Sequence, residues 1–171
     1  MQTSLILSII ADDKPGLVGN LSNIISQHQG NWLESRMSQM AGKFAGIVRI
    51  EVPEQNVDLL VKQLKRSNSD NCHIHFEISN QSSKPETTYQ ITLHLVGNDH
   101  PGIIKEISAA LAQRHINVID LHSECSPAPM SNDMLFKAEA ILQVPMNINK
   151  EKLAQDLESL ANELIVEINM N

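Results

Sequence analysis

Asp13-Lys14-Pro15-Gly16-Leu17-Val18 and Asp99-His100-Pro101-Gly102-Ile103-Ile104 share one pattern, D-x-P-G-[LI]-[VI], at a separation of 86 residues. An internal repeat is read before local structure, because it shows that one folding unit was used more than once. The same shift places Asn31 on Asn117 and Glu34 on Asp120. Further along, Phe44 aligns with Met134, and His75-Phe76-Glu77-Ile78 with Ile165-Val166-Glu167-Ile168, each 90 residues apart. The extra four residues are assigned to 126–133, a stretch of turn formers where an insertion is tolerated. Polar residues around Pro85 read as a connector. The expected organisation is a first domain at 1–80, a linker at 81–86 and a second domain at 87–171. At about 85 residues each, both units are large enough to bury a core of their own.

Each unit reads β-α-β-β-α-β. The apolar run Leu5-Ile6-Leu7-Ser8-Ile9-Ile10 and the alternation around Ile91, Leu93 and Leu95 suit strands. After the D-x-P-G turn, Leu17, Leu21, Ile24, Ile25 and His28 fall at helical spacing, as do Ile103, Ile107 and Leu111. Pro15 and Pro101 suit the approach to a helix, where a missing N–H costs little. Gly30 offers a helix stop. Strands are expected at 31–40 and 43–52, joined by the short turn Ala41-Gly42, and at 117–125 and 134–144. Val57, Leu60, Val61 and Leu64 make a second helical stripe, mirrored by Leu153, Leu157 and Leu160, and strands at 72–78 and 163–168 close the units. The fold class is α+β: two ferredoxin-like modules, each an antiparallel four-stranded sheet with two helices on one face. Open sheet edges are expected to invite pairing, within the chain or as a homo-oligomer.

Composition narrows the function. Aromatic residues make up 3% of the chain, too few for stacking on single-stranded nucleic acid. The net charge is -7, and it is uneven: residues 1–85 carry 8 basic and 8 acidic side chains, residues 86–171 carry 5 and 12. Such a balance repels a phosphate backbone, so no direct nucleic-acid contact is expected. Cys72 and Cys125 are far apart with no CxxC, which suits reduced thiols in the cytoplasm. The start of the chain lacks the basic and apolar regions of a signal peptide, and apolar runs are strand-length, so no membrane association is expected.

The doubled strand–turn–helix junction carries the chemistry. A helix start offers free N–H groups and the positive end of a dipole, which together suit an anion. Gly16 and Gly102 allow close approach because they lack Cβ. Asp13 and Asp99 precede the junction, and Asn31 and Asn117 open the next strand, positions expected to converge at one end of the sheet. A small zwitterion would place its carboxylate on the amides and its ammonium on Asp or the Asn carbonyl. The competing reading is structural, with Asp13 and Asp99 capping helices and the Asn residues shaping turns. His73 and His75 share a strand face, but no third ligand stands near them in sequence, so no metal and no cofactor is expected. Asp12, Asp13 and Glu34 lack an accompanying nucleophile or metal motif, so no catalytic residues are assigned. Lys62, Lys65 and Arg66 read as a solvated helix face.

These residues resemble a known module. D-x-P-G-[LI]-[VI] after an apolar strand, with Asn opening the next, is similar to the ACT domain, which commonly binds amino acids. Two such modules over nearly the entire chain, with the strand Trp32-Leu33-Glu34-Ser35-Arg36-Met37, resemble the glycine cleavage system transcriptional repressor family. The resemblance implies a non-enzymatic regulator that senses glycine and acts through a partner transcription factor. In ACT domains the ligand lies at a module–module interface, touched by the first β–α loop and the start of the second strand. Carried over, the ligand-binding set is Asp13, Gly16, Leu17 and Asn31, with Asp99, Gly102, Ile103 and Asn117. His100 stands where the first copy has Lys14, so the two sites need not be equivalent. The alternative reading is a detached regulatory subunit of an amino-acid or folate enzyme.

Overall fold

The fold is described from a computed structural model, covering residues 1–79, 88–128, 133–159 and 164–170. The chain divides into two compact units, Met1–Ser82 and Ser83–Asn171. The expected linker at 81–86, Met130, Leu160 and Glu163 lie outside the described residues.

The first unit runs β1 (Gln2–Asp12), α1 (Leu17–Gln27), β2 (Asn31–Met40), β3 (Lys43–Pro53), α2 (Val57–Arg66) and β4 (Cys72–Ile78). The second repeats this order as β5 (Thr88–Asn98), α3 (Ile103–Ala112), β6 (Asn117–Pro127), β7 (Met134–Pro145), α4 (Lys150–Glu158) and β8 (Ile165–Met170). Each sheet is antiparallel and four-stranded, in the orders β2-β3-β1-β4 and β6-β7-β5-β8. Period-2 alternation sends Leu5, Leu7 and Ile9 of β1 under the helices, where they meet Leu21, Ile25, Leu60 and Leu64. In the second unit Ile91, Leu93 and Leu95 meet Ile107, Leu111, Leu153 and Leu157.

Strand pairing corrects the repeat alignment. Ala11 faces Phe44, whereas its counterpart Gly97 faces Phe136, not Met134. Likewise Ser8 faces His75 and His94 faces Glu167. The shift is therefore 92 residues beyond the β2–β3 turn, and the insertion is six residues rather than four. Sequence similarity slid the alignment by two because a strand looks alike at every second residue. Ala41 and Gly42, at φ 49 and 77, form the two-residue turn that matches strand twist. In the second unit β6 and β7 still pair up to Pro127 and Met134, around residues 129–132, which lie outside the description.

Smaller features recur in both units. A register shift between Trp32 and Glu34 has its counterpart between Val118 and Asp120, so both edge strands carry a bulge in the same place. Helix α1 ends with Gln29 at φ 59, and α3 with His115 at φ 55. Gly30 is thus not the left-handed stop. Its role is close approach, since a Cβ there would sit 2.7 Å from Ile25 Cγ2.

Candidate functional site

Both D-x-P-G corners sit where the central strand hands over to its helix. Asp13 donates its N–H to the Gly42 carbonyl at 3.1 Å, and Asp12 donates to Asn71 at 2.9 Å, which ties the first corner to two neighbouring turns. Gly16 is the N-cap residue of α1 at φ 92, and Gly102 is that of α3 at φ 100. L-residues with a Cβ rarely adopt this conformation, so glycine is required by the turn itself. A Cβ at Gly16 would meet nothing within 4 Å, so the position has room and only its φ excludes a side chain. Gly16→Ala is therefore expected to cost about 1–2 kcal/mol through backbone strain alone, read as a shift in the denaturation midpoint.

The N-cap positions are the glycines themselves, and among the described residues no side-chain cap hydrogen bond is made at the start of α1 or α3, by Asp13, Asp99 or any other residue. The structural reading of these carboxylates as caps is thereby removed. The expected convergence with Asn31 and Asn117 is also corrected. Asn31 pairs with Glu51, which faces Ser4, whereas Asp12 faces Lys43 at the other end of the sheet. Eight residues of strand at about 3.3 Å each separate the two ends by roughly 26 Å. Asn117, Gln143 and Gln90 repeat the arrangement at the far end from Asn98. The cause is topological: α1 runs back along the sheet, so β2 begins where β1 began. No small amino acid touches Asp13 and Asn31 of one module at once.

The two corners differ. In the first, α1 has no acidic residue in its opening turn, and Asn20 occupies the place that Glu106 holds in α3. Among the described residues, no carbonyl outside α1 accepts from the amides of Leu17, Val18 or Gly19. Beside them lies a cleft of about 390 Å³ lined by Lys14, Pro15, Leu17, Asn20, Ile24 and Cys72, together with Ile9, Leu21, Ser67 and Ile74. Its size is within the range of small-molecule sites. Asp12 is engaged by Lys43 at 2.5 Å and Lys14 at 4.0 Å, while Asp13 stands exposed. In the second corner Ile103 donates to the His100 carbonyl at 3.3 Å, and the Glu106 carboxylate, 4.0 Å from His100 Nε2, brings its own negative charge to the helix start. A ligand carboxylate is opposed there.

Titration follows from these contacts. The Lys43 hydrogen bond holds the Asp12 carboxyl below its ordinary range. The pair's contribution is thus present at neutral pH and fades as pH falls through the lowered Asp12 value. Lys43→Met is expected to return the Asp12 titration towards the ordinary carboxylate range, as followed by NMR. Burial and then the Asp99 charge and hydrogen bond push the Cys125 thiol up. Burial does the same for Cys72. Raised thiols are poor nucleophiles. Asp99→Asn is expected to speed alkylation of Cys125 severalfold at mildly alkaline pH, leaving Cys72 unchanged. Among the described residues, no group of three His, Cys, Asp or Glu side chains is placed to hold a metal ion. Among the described residues, no helix is long and apolar enough to cross a membrane.

Comparison with known proteins identifies the module. Residues 3–77 match the family model of the ACT domain. The first module thus resembles an ACT domain over nearly its whole length. The second repeats its element order, strand order and edge bulge, so the chain is a tandem of ACT-type modules. Over 171 residues it is 19% identical to the glycine cleavage system transcriptional repressor of Escherichia coli (strain K12), spanning 99% of this chain and 90% of that protein. The Shigella flexneri repressor matches to the same extent, at 19% identity. Among solved structures, a protein of unknown function from Galdieria sulphuraria superposes with a TM-score of 0.87 at 22% identity, covering 100% and 99% of the two chains. A protein provisionally assigned as a glycine cleavage system transcriptional repressor superposes at 0.70 and 15%, again covering 100% and 99%. At these identities the structures speak for the shared tandem fold.

Proposed function

We infer that this chain is a non-enzymatic, amino-acid-responsive regulatory protein whose ligand is held at the first ACT corner. The observation that carries this reading is the open start of α1: uncapped amides, no acid in the first turn, Gly16 without a Cβ, and an adjoining cleft. The carboxylate of the ligand lies on the amides of Leu17 and its neighbours, aided by Lys14, and Asp13 receives the ammonium. The similarity to glycine cleavage system transcriptional repressors supports glycine as the first ligand to test, and cytoplasmic action through a partner transcription factor. Ligand binding shifts the population of conformers that engage this partner. The Asp99, Gly102, Ile103 corner is weaker because Glu106 already answers its helix dipole, and neither Asn31 nor Asn117 contributes within its own module.

The test is thermal denaturation of the full chain in a panel of free amino acids, glycine first and aliphatic residues next. Ligand at about 100 times its dissociation constant stabilises by roughly 2.7 kcal/mol, a shift of about 11–22 °C for a domain this small. Asp13→Ala is expected to abolish the shift without lowering the basal midpoint, since Asp13 caps nothing. Asp99→Ala should leave the shift intact. A panel without any stabilising amino acid overturns the proposal, and equal losses from both substitutions overturn the preference for the first corner.

A further inference from the structure

Strand β4 closes one edge of the first sheet and pairs with β1 alone among the described residues. Its ladder alternates. Ser79 donates to the Ser4 carbonyl and Asp12 to the Asn71 carbonyl, each at 2.9 Å, so His73, His75 and Glu77 turn their backbone groups towards β1. Those of Cys72, Ile74, Phe76 and Ile78 therefore point away from the sheet, where a bare edge recruits another strand. At Cys72 and Ile74 the chain covers the edge itself. Asn68 acts as a mock neighbouring strand: its Oδ1 accepts the Ile74 N–H at 2.7 Å, and its Nδ2 donates to the Ile74 carbonyl at 3.2 Å. A side-chain amide has the donor and acceptor of a peptide group, which is why asparagine can do this. Beside it, Ser69 and Cys72 exchange backbone hydrogen bonds at 2.9 and 3.2 Å.

The sequence of this strand is complementary to itself. Turned about a two-fold axis at His75, β4 meets a second β4 antiparallel, with all 7 of its residues paired. Ile74 then stands opposite Phe76 and Cys72 opposite Ile78, as hydrogen-bonded pairs with side chains on the helix-covered side. On the other side His73 stands opposite Glu77 of the second copy, twice over, in the closer, non-hydrogen-bonded kind of pair. A histidine N–H donates to a carboxylate in either protonation state. Within its own strand Glu77 lies 3.7 Å from His75, and both side chains are more than 70% exposed, so the carboxylate has a second oxygen to offer. Other edges lack this property. Strand β2 carries the bulge between Trp32 and Glu34, which blunts an edge. In β8 the place of His75 is taken by Glu167, so the same operation would set two carboxylates against each other.

We propose that β4 is a guarded pairing edge: Asn68 keeps it closed, and when Asn68 is displaced two copies of this chain join through β4, two-fold about His75. Displacing Asn68 alone opens both Ile74–Phe76 pairs, each of which exchanges an N–H and a carbonyl in both directions. Displacing Ser69 as well adds the Cys72–Ile78 pairs at the ends. The partner is a second copy because the strand supplies both halves of its own match, an imidazole against a carboxylate on one side and apolar pairs on the other. The contact is made by the first unit alone and is independent of a ligand at the first corner.

The experiment is sedimentation of the full chain over a range of concentrations, the parent against Asn68→Ala. The expected result is self-association roughly tenfold or more stronger in N68A, from the backbone hydrogen bonds gained across the axis. Adding H73E places a carboxylate opposite Glu77 and removes most of the gain; adding E77K to that pair of substitutions restores it, because the charges are opposite again. A site-specific reading comes from His75→Cys in a chain that also carries Cys72→Ser and Cys125→Ser. Residues facing each other at the axis are within disulfide reach, so mild oxidation cross-links two copies with N68A and not with Asn68 in place. Circular dichroism checks the fold of each variant, and Asn68→Asp, which keeps the acceptor and loses the donor, repeats the comparison with a gentler change. Association of N68A and N68D no stronger than that of the parent overturns the proposal. So does a gain that H73E leaves untouched, one that E77K fails to restore, or a cross-link that forms equally well with Asn68 in place.

Discussion

Leu7→Ala is expected to destabilise the first module by about 3–4 kcal/mol and to leave the second unaffected. Leu7 is wholly buried at the middle of the central strand, between Val48 of β3 and Phe76 of β4. Truncation removes the transfer free energy of three carbons and leaves a cavity that flanking strands cannot close. For a module with only about 5–15 kcal/mol to lose, this is a large fraction. Leu93, its counterpart in β5, sits in a separate cluster of buried residues, and the two clusters have no member in common. Amide hydrogen exchange of the variant is the measurement. Protection should fall in β1, β3 and β4 and persist in β5, β7 and β8, with Leu93→Ala giving the reverse. Equal loss of protection in both modules after either substitution would show one cooperative unit and sink the expectation.

Gly46→Ala is expected to cost about 2–3 kcal/mol, an effect out of proportion to one methyl group. A Cβ at this position would stand 2.6 Å from the Arg36 carbonyl oxygen, 3.0 Å from Met37 Cα and 2.5 Å from Met37 Cγ. Two of these atoms are backbone, so relief requires β2 to move off β3 and is not available from a rotamer change. The substitution also disturbs the strand that carries Arg36. A denaturation midpoint unchanged from the parent would show that the β2 edge yields without cost. Gly16→Ala works by a different physical route, since its Cβ has room and only the φ of 92 is at fault.

The doubling of the module was legible in the sequence because it is a statement about residue identity: Asp, Pro and Gly recur at a fixed shift of 86. The strand and helix types were legible because periods of 2 and 3.6 are local properties of side-chain spacing. The helix end at Gln29 was not, since a left-handed residue other than glycine leaves no mark in the sequence. The six-residue insertion was misjudged for a similar reason, as two strands slid by two residues keep the same faces.

The candidate site divides along the same line. That Gly16 and Gly102 stand at strand–helix corners follows from the chain itself, because only glycine relieves that turn. Whether those corners meet Asn31 and Asn117 depends on the direction of α1 over the sheet, a tertiary property, which sets them about 26 Å apart. The inequality of the corners also required the fold, because Glu106 opposes an anion only once its side chain is seen beside the start of α3. The run Leu5 to Ile10 announced a strand by composition alone. That half of its apolar side chains face outward beside Arg36 was decided by strand pairing, since register selects which residues of neighbouring strands share a face.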